Sequence, residues 1–189
     1  MIKKYRAEVA TMVVEGNMDF RWLYPDTYQA TMDELGAEGI LLPSSKAIEL
    51  EVERDLRLLL SPLVRITLTF TAPELGTAVY SFKRGYISDL GSVPAGLRGL
   101  SDNDSREAMP GFLVHDANFD GHFCAFAPAD RILRDMIVRR KGSKWEAFKY
   151  FIGTMSPVGW WLYNHRKPSR ASWALRQVSV DWPAASLAK

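Results

Sequence analysis

The chain is nearly free of cysteine and poor in histidine, with one and three respectively among 189 residues. Cys124 stands alone, which excludes an intramolecular disulfide framework and points to folding in a reducing compartment. The histidines are His115, His122 and His165. A metal phosphohydrolase built on a His-Asp pair needs further histidines upstream, and none precedes His115, so that class is excluded. Excess charge of one sign is also lacking. Lys and Arg number 24 against 22 acids, a formal net charge of +2. Acids are interspersed with the bases, so the one-sided basic face of a nucleic-acid binder is not expected. The densest basic run, Arg139, Arg140, Lys141 and Lys144, falls at the end of an expected helix, where cations suit the dipole. No apolar run approaches the roughly 18 residues of a membrane-spanning helix. The start, MIKKYRAEVATMVVEG, lacks the sustained apolar stretch of a signal peptide. A soluble chain, or a part of a soluble assembly, is the expectation.

What is present is an ordinary folded composition, 47% hydrophobic and 24% charged. The length suits one domain with a sizeable core, or one domain with an annex. In the second case residues 1–57 form a β-rich segment suited to partner binding. Residues 58–189 then form the main domain, a strand hairpin, a loop and three to four helices.

The N-terminal half reads mostly as strands. RAEVATMVVE mixes β-branched and polar residues. LVRITLTFTA alternates, with Val64, Ile66, Leu68 and Phe70 on one face and Arg65, Thr67, Thr69 and Thr71 on the other, which predicts a half-buried strand. PELG then marks a turn, and TAVYSFKRGYIS the returning strand. KAIELEVERDLRLLL is ambiguous, and its start leans to strand. GYISDLGSVPAGLRGLSDNDS reads as an extended loop. Three helices are predicted after it, over about 106–119, 128–140 and 144–155, with Pro128 suited to a first turn. SPVGWWLYNHRKPSR reads as an aromatic-rich connection and ASWALRQVSV as a last short helix. Strands first and helices after them argue for an α+β fold with antiparallel strands.

The stretch FLVHDANFDGHFCAFAPADRILRDM carries the chemistry. On a helix, Phe112, His115, Asp116 and Phe119 share one face, and on the next helix Asp130, Leu133, Arg134 and Ile137 do the same. Two such helices packed antiparallel bring His115 near Asp130. A His oriented by a carboxylate can serve as general base on a water, and a neighbouring Asp can hold a cation. The same polar groups can equally be a buried network that locks two helices together.

Two metal readings compete with these. DANFDG matches the first half of a calcium-loop pattern, with Asp116, Asn118 and Asp120 as oxygen ligands and Gly121 at the turn. The twelfth position is Ala127, where a bidentate Glu is needed. For zinc, His115, His122 and Cys124 are donors at a non-standard spacing. Cys124, between Phe123 and Phe126, reads instead as a small buried apolar residue. Upstream, GYISDLGSVPAG offers Asp89 and Ser92. They are candidates either for a tight turn or for completing a cluster with His115, Asp116 and Asp130.

The His-Asp pair with a later helical Asp is similar, over about 20 residues, to the phospholipase A2 pattern. The glycine-rich calcium loop of that pattern is not recognisable here, and Phe119 lacks its hydroxyl. Taken in order, GYISDLGSVP, LVHDANF, APADRILRDMI and AFKYFIGTMSPVGWW resemble a phage-borne family of domains of unknown function. Asp89, Ser92, Pro94, His115, Asp116 and Asp130 are the matching positions, between about Tyr80 and Trp161. Phe119 stands where Tyr is more usual.

That resemblance implies a bacteriophage structural or virion-associated protein of the tail or baseplate region. It would be assembled in the host cytoplasm, in contact with other virion proteins, and as a homo-oligomer where the assembly repeats it. MDFRWLYPDTY and GWWLYNHR supply aromatics suited to such contacts or to the core. The alternative is a hydrolase acting on an envelope lipid ester or peptidoglycan. His115 would be its base, and Asp116 or Asp130 would orient the His or bind a divalent cation.

Overall fold

The computed structural model describes residues 7–40, 42, 56–88, 108–121, 123–124, 126–140, 143–154, 157–164 and 176–182. The expected strand start over 46–55 and the loop of Asp89, Ser92 and Pro94 lie outside the described residues, as do His122 and His165. Antiparallel sheets occupy mainly the N-terminal part and helices the C-terminal part, so the fold is α+β.

The larger sheet has the order β1-β4-β5-β7, formed by Val9–Glu15, Leu63–Phe70, Thr77–Lys83 and Val178–Asp181, all antiparallel. The alternation of β4 does what its pattern dictates: Val64, Ile66, Leu68 and Phe70 are buried. The β4–β5 turn is a single 3-10 turn over Pro73–Leu75, and the strands pair from Leu63 opposite Lys83 to Thr69 opposite Thr77. Gly16, after β1, has φ +90°, and a Cβ there would stand 2.5 Å from the Leu63 carbonyl oxygen. Only glycine fits that approach.

A smaller sheet joins β2 (Phe20–Trp22), β3 (Arg57–Leu59) and β6 (Ile87–Ser88). A division at residue 57 therefore falls inside β3, and β1 before it pairs with β4 after it.

Three elements differ from the sequence reading. The N-terminal segment contains a helix, α1 (Pro25–Ala37), with Pro25 in its first turn and Tyr28, Thr31 and Leu35 buried. The stretch taken as an aromatic connection contains helix α5 (Pro157–Asn164), which Pro157 opens. The segment expected as a last helix holds strand β7, whose Val178 and Val180 pair with Phe82 and Tyr80. Available ladder partners on β5 decide that last case over local propensity.

The remaining helices are α2 (Met109–Gly121), α3 (Phe126–Arg139) and α4 (Lys144–Thr154). Helix α2 is the centre of the molecule, with every residue from Pro110 to Asp120 buried. It packs on α3 and reaches β6. Gly111 lets α2 and α3 close in, since a Cβ there would meet Leu133 Cδ1 at 3.1 Å. Helix α3 also meets β1, where the Val9 N–H donates to Asp135 Oδ2 at 3.4 Å. Among the described residues no helix is long and apolar enough to cross a membrane.

Candidate functional site

A helix buried on all sides must find a partner for each polar group it carries inside. Helix α2 carries four in succession: His115, Asp116, Asn118 and Asp120. Each turns to a different neighbour. His115 Nε2 lies 2.9 Å from Asp130 Oδ1 on α3. Asp116 Oδ2 accepts a short hydrogen bond from the Ser88 hydroxyl at the end of β6. Asn118 Oδ1 accepts from the Tyr80 hydroxyl on β5 at 3.1 Å. Asp120 Oδ2 accepts from the Tyr86 hydroxyl at 3.3 Å. The helix is thus tied to α3 on one side and to strands of both sheets on the other.

The centre of this network is an imidazole between two carboxylates. Asp116 Oδ1 stands 3.8 Å from His115 Nδ1, an ion-pair distance rather than a hydrogen bond. The His115 side chain is 8% exposed, Asp116 5% and Asp130 0%. Burial alone would lower the His115 pKa, but Asp116 and Asp130 outweigh it and raise it to about 9. The two carboxylates thus favour the protonated ring. Its ring also lies against Phe119, with centroids 4.3 Å apart. Asp130 Oδ2 and Asn118 Nδ2 are buried with no hydrogen-bond partner among the described residues.

The expected meeting of His115 and Asp130 across two packed helices is present in the geometry. The calcium loop is not. Asp116, Asn118 and Asp120 lie on a continuous helix. At about 100° per residue, the Asn118 side chain leaves the helix nearly opposite that of Asp116, so the three oxygens cannot converge on one cation. Their oxygens are directed instead to Ser88, Tyr80 and Tyr86. Of the zinc set, Cys124 is fully buried, and burial together with the nearby Asp130 charge pushes its thiol pKa far up. A thiol held protonated is a poor metal ligand and a poor nucleophile. Among the described residues no group of three His, Cys, Asp or Glu is placed to hold a metal ion.

Asp89 and Ser92 fall outside the described residues, but Ser88, next to Asp89, is in the network. The sequence reading missed Ser88, Tyr86 and Tyr80. In the sequence they look like ordinary strand residues. The available signal was the run of four polar groups on an otherwise apolar helix, which demands polar partners from the strands packed on it.

No protein-family model, curated protein or solved structure matches the chain. The resemblance to the phage-borne family therefore rests on its quoted motifs.

Proposed function

We propose that the chain is a bacteriophage structural protein, associated with the virion in the tail or baseplate region and working through protein–protein contacts. The observation that carries this reading is a set of large aromatics left in solvent on α4 and α5. Trp145 is 64% exposed, Phe148 48%, and Trp160 and Trp161 54% each. Trp145 and Phe148 stack on one another with centroids 5.8 Å apart. Single exposed apolar residues are ordinary, but the stacked Trp145–Phe148 pair on α4, with Trp160 exposed on α5, is the kind of feature that partners cover. The family motifs supply the phage context.

The enzymatic alternative asks His115 to take a proton from water or a nucleophile. That requires a neutral imidazole within reach of substrate. Asp116 and Asp130 favour the ring that already holds its proton, and the His115 side chain is only 8% exposed. The network suits a role as an internal clamp.

The test is to purify particles from the source that carries the gene and probe them with antibody to the chain. A band that co-purifies with particles through a density gradient at constant ratio is expected. Absence of the chain from infectious particles would contradict the reading.

A further inference from the structure

We infer that the exposed aromatic face of α4 and α5 docks on the α1 face of a second copy of this chain, head to tail. This rests on the reading of α4 and α5 as a partner surface, and it names the partner. The near-neutral total charge divides unevenly along the chain. Residues 139–164 carry five bases against one acid, a formal +4. Residues 8–40 carry seven acids against one base, a formal −6. The first range holds α4 and α5, and the second holds β1, β2 and α1.

Both regions present charge to solvent. Arg139 and Lys144 are exposed, and Lys144 directly precedes the Trp145 that stacks on Phe148. On the acidic side, Arg21 and Arg84 take up Glu34 and Glu38 at 2.6 and 2.9 Å. Asp26 and Asp33 are exposed as well, seven positions apart and so two turns along one face of α1. Gln29 holds the Asp33 carboxylate in place at 2.9 Å. Exposed Ala30 lies between the two acids on the same face, and exposed Tyr24 stands at its start. A face that is small at its centre and acidic on either side suits large rings flanked by bases.

Within one chain the two faces leave each other uncovered, since Trp145 is 64% exposed and Asp26 and Asp33 are exposed. Packing α4 of one copy on α4 of another would bring like charges together, which is unfavourable. Packing it on α1 sets Arg139 and Lys144 against Asp26 and Asp33 and covers the rings. Exposed ion pairs add little affinity, so the buried rings supply most of it and the charges select α1. Two different patches make a heterologous contact, which closes into a ring or runs on as a filament.

The experiment is sedimentation velocity on the purified full chain. Concentration-dependent association is expected at low salt, weakened at least about tenfold in about 1 M salt, where exposed charges are screened. Arg139→Glu with Lys144→Glu reverses the basic face, and Asp26→Lys with Asp33→Lys reverses the acidic one. Each variant alone is expected to be monomeric, and an equimolar mixture of the two to associate again, because every reversed face then meets an opposite charge. If either variant fails to fold by circular dichroism, Trp145→Ser with Trp160→Ser takes its place and is expected to be monomeric. The inference is overturned if the parent is monomeric at about 100 μM, if a variant associates like the parent, or if the mixture of folded variants stays monomeric. A monomeric parent whose tryptophan fluorescence shifts on phosphatidylglycerol vesicles would give the face to a lipid surface instead. A monomeric parent that still co-purifies with particles overturns this inference and leaves the virion reading standing, and a self-associating parent absent from particles does the reverse.

Discussion

His115 and Asp130 meet at 2.9 Å across the α2–α3 contact, fifteen positions apart in the chain. The Asp130 side chain is completely buried and that of His115 nearly so. Burying a charge is costly unless it is paired, so each of these groups depends on the other. Asp130→Ala leaves an imidazolium with one carboxylate at ion-pair distance. The expected loss is about 3–5 kcal/mol, the size seen when one member of a buried pair is removed. Urea unfolding measures it, and a loss below about 1 kcal/mol would show that the contact behaves as a surface pair does.

The pH dependence follows from the same pair. The His115 pKa is raised from 6.5 to about 9 in the folded chain. A raised pKa means the folded chain holds the proton more tightly. The stabilisation is fully present below about pH 6.5 and is lost as pH rises through about 9. Within that window each pH unit removes about 1.4 kcal/mol, on the order of 3 kcal/mol in all. Urea midpoints for the parent and for His115→Gln should therefore converge between pH 6.5 and 9. An imidazole resonance of His115 titrating near 6.5 would remove the basis for this.

How much of this could be read from the sequence depended on how far apart the partners lie. The spacing of His115 and Asp116 on one helix and Asp130 on the next was enough to foresee their meeting, because helical periodicity and a short connection leave few alternatives. Strand β4 was legible for the same reason, since alternation over eight residues has one meaning. Ser88 and Tyr80 were not, because they reach α2 from 28 and 38 positions away and nothing local marks them. Helix α5 was hidden by Pro157, Gly159 and two tryptophans, which read as a connection. Strand β7 was hidden because its pairing with β5 spans about a hundred residues.

The Tyr80–Asn118 bond makes a separate prediction. Tyr80 is fully buried, and its hydroxyl donates to Asn118 Oδ1. Tyr80→Phe leaves that oxygen without its donor at a cost of about 1–3 kcal/mol. In a double-mutant cycle, Asn118→Leu should cost less in the Tyr80→Phe background than in the parent. Strict additivity would mean that the bond does not form.

Two glycines should respond unequally to alanine. Gly16→Ala forces a side chain into φ +90° and against the Leu63 carbonyl, so a loss of about 1–3 kcal/mol is expected. Gly111→Ala meets the end of the flexible Leu133 side chain at 3.1 Å. There a gain of up to about 1 kcal/mol in helix propensity offsets the crowding. Thermal unfolding of both variants checks the contrast, and an equal loss at the two positions would contradict it.

The exposed aromatics separate stability from assembly. Trp145→Ser and Trp160→Ser remove side chains that are 64% and 54% exposed. Their effect on unfolding should stay within about 0.5 kcal/mol. On the proposed virion reading, co-purification of the double variant with particles should be lost. Unimpaired incorporation would show that α4 and α5 do not face the partner.

The most direct test of a structural role for the His115 network is a complementation titre. His115→Gln with Asp130→Asn replaces the charged pair by two neutral amides of similar size, and circular dichroism first establishes that the variant folds. On the proposed virion reading, the folded variant supplied in trans to a phage deleted for this gene is expected to restore full titre. Particles that assemble normally but fail to infect would show that the pair does chemistry, and the virion-structural reading would give way to the hydrolase.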